Sequence, residues 1–207
     1  EPSLELVSVA LDSGKVNNIG EVTQGYSCGA WVYGLWDNKL IFRTSKAADD
    51  RPFMERLQDF ADKNGLSESE AIEQYNDKAE YDYQYLSYDI SRGKVEKNAL
   101  SEPSAISDNC YYYVKDGKPC YLDKSGKEQT IEGIDDGSNV TNIATINGYA
   151  LIDSENSQYL FKESDKTISK LTDTYDIAAI KDGQAIIRTG STPAYEKKAV
   201  SELENSK

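Results

Sequence analysis

The chain has 207 residues, 38% of them hydrophobic and 10% aromatic, enough to close a real core, so disorder is not its default state. Its 36 acidic against 23 basic residues give a net charge of −13, a field that repels polyanions and speaks against nucleic acid or an anionic membrane as partner. It contains no histidine, which removes Ser-His-Asp and Cys-His catalysis and the usual zinc sites, and no apolar run near the roughly 20 residues that span a bilayer.

The first residue is Glu1 rather than methionine, from which we expect a processed chain or a piece of a longer one, with any signal peptide or lipid anchor lying outside it. "LELVSVAL" and "KVNNIGEV" read as two strands joined by a polar turn. "AWVYGL" and "KLIF" then flank Asp37-Asn38, a two-residue turn signal. From about Lys46 to Glu80 the pattern changes. Phe53, Met54, Leu57, Phe60 and Ala61 fall on one helical face, Asn64-Gly65 is a helix stop, and "SESE" from Ser67 is a capping box with Glu70. Ala71, Ile72 and Tyr75 form the stripe of a second helix, so the segment is a helical hairpin inserted between two strands. "YDYQYLSYD" resumes the strand pattern, with Tyr81, Tyr83 and Tyr85 on one face and Asp82 and Gln84 on the other.

In "DNCYYYVKDGKPCYLDKSGK" a type I′ turn at Asp116-Gly117 sets Lys115 opposite Lys118, Val114 opposite Pro119, Tyr113 opposite Cys120 and Tyr111 opposite Leu122. Tyr111, Tyr113, Cys120 and Leu122 then share one face, while Cys110, opposite Asp123, falls with Tyr112, Val114, Pro119 and Tyr121 on the other. A Cys110–Cys120 disulfide would have to pass through the sheet. Two thiols on opposite faces plus Cys28 give no tetrahedral metal set either, so all three cysteines read as small apolar residues.

The same punctuation recurs. Asp108-Asn109, Asn147-Gly148 and Asp182-Gly183 each precede a short apolar strand, and their first residues lie 39 and 35 residues apart. Between them fall "YLSYDISRGKV", "CYLDKSGKEQTI" and "YLFKESDKTISKL", a strand, a polar turn and a strand. One period therefore holds four short strands, the content of one antiparallel four-stranded meander or propeller blade. The interval from Asp37 to Asp108 is longer by about the length of the helical insertion. "AYEKKAVSELENSK" reads as a terminal helix or frayed tail.

An apolar strand after Asp-Asn or Asn-Gly, then Tyr-Leu-x-Asp leading into Ser-Gly-Lys, resembles the degenerate β-propeller repeats of bacterial surface and periplasmic proteins, the YWTD and TolB-like group. Tyr121-Leu122-Asp123 with Ser125-Gly126-Lys127, and Tyr88-Asp89 with Gly93-Lys94, carry the likeness best, and "YLFKESDKT" departs from it by losing both the Asp and the Gly. The resemblance implies an all-β, propeller-like fold of about four blades in a single domain over residues 1–207. The N-terminal strands would complete the blade begun by "DIAAI" and "QAIIR" at the other end, unless the chain belongs to a larger ring. Two unrelated globules meeting near position 100 would contradict this frame.

Candidate chemistry is sparse. Asp135, Asp136, Ser138 and Asn139 in "IDDGSN" offer oxygen ligands for calcium, but their spacing is not that of an Asp-x-Asp-x-Asp-Gly loop and turn formation explains them, so no cofactor is expected. Ser91 and Lys94 make a Ser-x-x-Lys inside a turn rather than at a helix start, and Asn139 begins an "NVT" acceptor that matters only in a eukaryote. "KLIFRTS" and the two helices loosely resemble a ribbon-helix-helix DNA-binding unit, but Glu55, Asp59, Asp62, Glu68, Glu70 and Glu73 contradict phosphate contact. Fifteen tyrosines against four phenylalanines favour rings with a polar tip, found at binding surfaces and equally in strands. The expectation is a non-catalytic binding domain of an exported or cell-surface bacterial protein, a cytoplasmic location staying open. Its partner would be a protein or glycan, and Tyr81, Tyr83, Tyr85, Tyr111, Tyr113, Phe53 and Leu57 are the candidate contacts. The alternative is a glycan-active hydrolase using paired carboxylates, or the propeller portion of a larger enzyme. A third reading is a sensor whose helical hairpin docks a partner.

Overall fold

A computed structural model of the chain describes residues 3–24, 29–49, 51–75, 81–135, 139–190 and 194–204. It is all-β apart from a few short helices, its strands forming antiparallel sheets in which sequence neighbours pair. The chain forms two compact units, residues 1–32 with 38–99 and residues 33–37 with 100–207. The boundary falls close to position 100, and each unit contains a four-stranded antiparallel meander.

The first unit holds strands β1 (Ser3–Val9) and β2 (Val16–Gln24), which form a two-stranded sheet of their own, and the sheet β3-β4-β5-β6. These strands are Gly29–Trp36, Lys39–Ala47, Tyr81–Asp89 and Lys94–Lys97, with the end of β3 counted in the second unit. Between β4 and β5 lie helices α1 (Phe53–Asn64) and α2 (Glu68–Tyr75), the insertion read from the sequence. Gly65 ends α1 in the left-handed conformation. Ser67 and Glu70 close the capping box: the Ser67 N–H donates to the Glu70 carboxylate at 2.9 Å and the Glu70 N–H to Ser67 Oγ at 3.4 Å. Leu57, Ala61 and Ala71 make a small core between the helices, with Phe60, Leu66 and Tyr75 packed against it. Arg56 is buried beside it, its guanidinium donating to the Arg51 carbonyl and to the Tyr75 hydroxyl.

The second unit carries three sheets in succession. Strands β7 (Ala105–Ile106), β8 (Cys110–Lys115), β9 (Lys118–Asp123) and β10 (Glu128–Thr130) form one. The next is β11 (Val140–Ile146), β12 (Tyr149–Ser154), β13 (Gln158–Lys162) and β14 (Thr167–Lys170), and the last β15 (Asp176–Lys181), β16 (Gln184–Thr189) and β17 (Ala194–Ala199), followed by helix α3 (Val200–Leu203). The β8–β9 register is the one expected, from Lys115 opposite Lys118 to Cys110 opposite Asp123, and both cysteines are free thiols. Cys28 lies outside the described residues.

Four hairpins turn through positive φ at both central residues, at Asp37-Asn38, Asp116-Gly117, Asn147-Gly148 and Asp182-Gly183, the signature of the type I′ turn. Asp108-Asn109 does not. There Ser107 Oγ accepts the N–H groups of Asn109 and Cys110, and a side-chain oxygen replaces the left-handed backbone. Two further expectations are corrected. The tail "AYEKKA" is strand β17, with only Val200–Leu203 helical, because its residues pair along the whole of β16. And β1–β2 does not join β15–β16: the last sheet takes its third strand from the C-terminal segment, and among the described residues no closed ring is found.

Alternation places the core of this unit. In the β11–β14 sheet Ile143, Ala150, Ile152, Tyr159 and Phe161 face the β7–β10 sheet, where they meet Cys110, Tyr112 and Tyr121. Leu151 and Leu160 point the other way, to Ile177, Ile180, Ala185 and Ile187 of the last sheet and to Val200 and Leu203 of α3. The middle sheet is thus covered on both faces, as a blade between two blades would be. Asn147 Nδ2 donates to the Ile180 carbonyl at 2.9 Å and Thr145 Oγ1 to the Ile106 carbonyl at 3.3 Å, tying neighbouring sheets near their first strands.

Candidate functional site

The residues singled out from the sequence do not form one surface. Tyr81 and Tyr83 are exposed, at 37% and 52% of full accessibility, with rings 6.5 Å apart and the Arg43 guanidinium 4.7 Å from the Tyr83 ring. Phe53 is 37% exposed on the helical hairpin and Tyr85 is half-buried. Tyr111, Tyr113 and Leu57 are interior, at 0, 2 and 1% exposure, and cannot meet a partner in this state. The faces of β8 were read correctly, but both are covered: the Tyr111 hydroxyl donates to the Ser101 carbonyl and its ring meets Trp36 edge-on at 5.9 Å.

Several of the tyrosines lie in the seams between sheets, where a ring fills apolar volume and its hydroxyl reaches a polar edge. Tyr112 donates to Glu163 at 2.9 Å, and the Tyr159 oxygen accepts the Asp135 N–H at 3.2 Å. The third turn has Lys162 at the position of Asp89 and Asp123, each of the three pairing with the first residue after the preceding turn dipeptide, and Glu163 follows it. In the other two turns the Asp carboxylate folds back on its own turn. Asp89 accepts from the Ser91 N–H and hydroxyl and from the N–H and Nε of Arg92, and Asp123 accepts from the N–H and hydroxyl of Ser125 and the Lys127 N–H. The Ser91 and Ser125 side chains lead the donors that hold these two carboxyls below the usual range. The "Asp-x-Ser" repeat motif is turn architecture, and Ser91 is engaged there. Glu163 instead turns inward, buried, with Asn109 Nδ2 at 3.2 Å as a second donor.

Cys110 sits beside this pair with Lys166 Nζ 3.6 Å away. Burial first of all pushes its thiol pKa up, the wrong direction for a nucleophile. Of the suggested calcium ligands, Asp135 pairs with Lys170 at 2.6 Å and Asn139 donates to Glu155 at 2.9 Å. Asp136 and Ser138 lie outside the described residues, and among those described no cluster of acidic or thiol groups suits a metal.

Among the described residues of the second unit, two concave surfaces meet at Asn142 of β11. The larger, about 570 Å³, opens where the seam between the middle and last sheets reaches solvent. Its floor includes Ala144, Leu151, Ile177 and Ala178, and its polar wall Asn142, Asp153, Gln158 and Asp176, with Thr174 and Tyr175 at the edge. The wall is prearranged. Asn142 and Asp153 are directly opposed on β11 and β12, as are Asp153 and Gln158 on β12 and β13. Asn142 Nδ2 donates to Asp153 at 3.1 Å, and buried Gln158 donates to Asp153 at 2.8 Å and to the Tyr175 carbonyl while accepting the Tyr175 N–H at 2.9 Å. The second, about 410 Å³, is lined by Tyr33, Glu102, Pro103, Ser104, Val114, Val140, Thr141 and again Asn142.

Bulges shape both. Thr141 is the extra residue of β11 and Ala178 that of β15, each near the strand start and each lining a groove. None of these groove residues was singled out from the sequence. Gln158 was the available signal: a lone amide heading the apolar run "QYLF", buried against expectation. No protein-family model matches the chain, and no curated protein matches it at a meaningful level of similarity.

Proposed function

We propose that the chain is a non-catalytic binding module, built on a propeller-like scaffold and belonging to an exported or cell-surface bacterial protein. The scaffold reading is supported by the repeat grammar and by the middle sheet being covered on both faces. No helix among the described residues is long and apolar enough to cross a membrane. The observation that carries the binding reading is the Asn142–Asp153–Gln158–Tyr175 network around the larger groove. Its polar groups are fixed in advance by one another, so a ligand would meet an ordered set of donors and acceptors at little entropic cost. The groove volume lies within the range of small-ligand sites. The test is to screen wild-type protein on immobilised glycans and peptides and then to challenge any ligand with Asn142→Ala and Thr174→Ala, both at exposed positions. At least one of them should weaken capture, and a ligand captured equally by both variants binds elsewhere.

A second reading has one specific observation in its favour: Asp153 and Asp176 line the same groove, as a hydrolase with paired carboxylates requires. Against it, Asp153 is held by two amides and Asp176 faces Arg188 at 3.5 Å, neither the apolar setting that produces a general acid. If wild-type protein cleaves a glycan and Asp153→Asn or Asp176→Asn abolishes cleavage while leaving binding intact, the hydrolase reading replaces the first.

A further inference from the structure

We propose that the ligand of this unit is an uncharged oligosaccharide that runs across both grooves with Asn142 as the contact common to the two. This rests on the binding-module reading and specifies its ligand class. The first argument is charge. Neither groove has a lysine or arginine among its lining residues, while Glu102, Asp153 and Asp176 are all present. A sulfated, phosphorylated or uronic chain would lie against carboxylates with no cation to receive it, on a protein of net charge −13.

The second argument separates a sugar from a basic peptide. Asp153 already accepts from Asn142 and Gln158, and Asp176 lies 3.5 Å from Arg188. The negative charge is thus partly answered within the protein, which leaves less to hold an ammonium group. What the grooves offer in quantity is neutral: the Asn142 amide, the hydroxyls of Ser104 and Thr174, and the hydroxyls of Thr141 and Thr145, which donate to backbone carbonyls and keep a lone pair to accept. Such groups donate and accept at once, as sugar hydroxyls do. Each groove also brings one tyrosine, Tyr33 or Tyr175, an apolar ring face with a polar tip suited to the C–H face of a pyranose.

The third argument is extension. One groove follows β11 from Asn142 to Ile146 and the other lies at Val140 to Asn142, so Asn142, exposed and adjacent to the Thr141 bulge, lines both. Each alone is of small-ligand size. A single sugar would use one and leave the other idle, whereas a chain crossing Asn142 uses the whole surface.

The experiment is titration calorimetry on the full chain with four probes: a length series of neutral oligosaccharides, a uronic oligosaccharide of matched length, a sulfated one, and a lysine-rich peptide. Wild-type protein should bind the neutral series with affinity rising with length and then levelling, and should bind both acidic probes at least 10-fold more weakly. Asn142→Ala should weaken the longer neutral chains about 10-fold or more. Ser104→Ala should reduce the benefit of added length while sparing the shortest binder, and Thr174→Ala should weaken both short and long. All three replacements shorten polar side chains, and thermal melts confirm folding. Equal affinity for neutral and acidic chains, preference for the peptide, affinity independent of length, or the absence of any neutral binder would each overturn the inference. Should the peptide bind instead, with Asn142→Ala weakening it, the binding-module reading stands while this one falls. Should no probe bind in calorimetry and none perturb groove residues in NMR spectra, both fall.

Discussion

Replacing Tyr112 by phenylalanine removes one oxygen and leaves the ring where it meets Phe161 edge-on at 6.4 Å and Tyr121 at 6.1 Å. The oxygen lost is the donor at 2.9 Å to Glu163, a residue only 5% exposed. A hydrogen bond to a charged group contributes about 1.5–3 kcal/mol. Asn109 still donates to the same carboxylate at 3.2 Å, so the lower part of that range applies, about 2 kcal/mol. With a urea dependence of roughly 2 kcal/mol per molar, the midpoint should fall by about 1 M. Urea unfolding gives the total, and hydrogen exchange at the amides of β8 and β13 confines the effect to the second unit. The double variant Tyr112→Phe with Glu163→Leu removes both polar partners and should cost clearly less than the two single changes added together, because no buried carboxylate is left behind. If Tyr112→Phe shifts stability by less than about 0.5 kcal/mol and the coupling in the double variant is also negligible, the inter-sheet bond is not a stabilising feature and the reasoning fails.

Gly117→Ala should be more damaging than Gly148→Ala. Both residues have positive φ, worth about 1–2 kcal/mol against any other residue, but only at Gly117 would the new Cβ lie 2.6 Å from Asn139 Oδ1, and Asn139→Ala should recover part of the difference in thermal melts. Leu57→Ala should cost about 2–5 kcal/mol within the helical hairpin and raise exchange at α1 and α2 amides, with the β7–β17 amides unchanged. Ser67→Ala should cost about 1 kcal/mol of α2 stability by the same readout. Asp89 and Asp123 have folded pKa values below their ordinary value of 3.8. They therefore stabilise the fold above that pH and lose the contribution as pH falls toward the folded value. Asp89→Asn and Asp123→Asn should each flatten the acid limb of the melting-temperature profile, and a limb of unchanged slope in both would refute the role given to these turns.

Much of the local structure was legible because it rests on nearest-neighbour rules. Asp-Gly and Asn-Gly fix type I′ turns, the turn fixes the register from Cys110–Asp123 to Lys115–Lys118, and the capping box at Ser67 fixes the start of α2. Exposure was less legible. Alternation says which residues share a face but not whether the face is covered, so Tyr111 and Tyr113 were taken for surface although both are buried. Strand β17 was missed because "AYEKKA" has the charges of an edge strand rather than an apolar alternation. The groove escaped notice because it joins residues of β11, β12, β13 and the approach to β15, and only the packing of two sheets makes them neighbours.

Sheets built on the same four-stranded meander carry a hazard in assembly, since a strand pair from one can be accepted in the place of another. Glu163 acts as a key against that exchange. It fits where a phenol waits at Tyr112, whereas the residues in its place after the two earlier strands, Ile90 and Lys124, have no carboxylate to offer a neighbouring sheet. A layer stacked out of order would bury a carboxyl group with no hydroxyl to meet it, so this contact is also where correct order is rewarded.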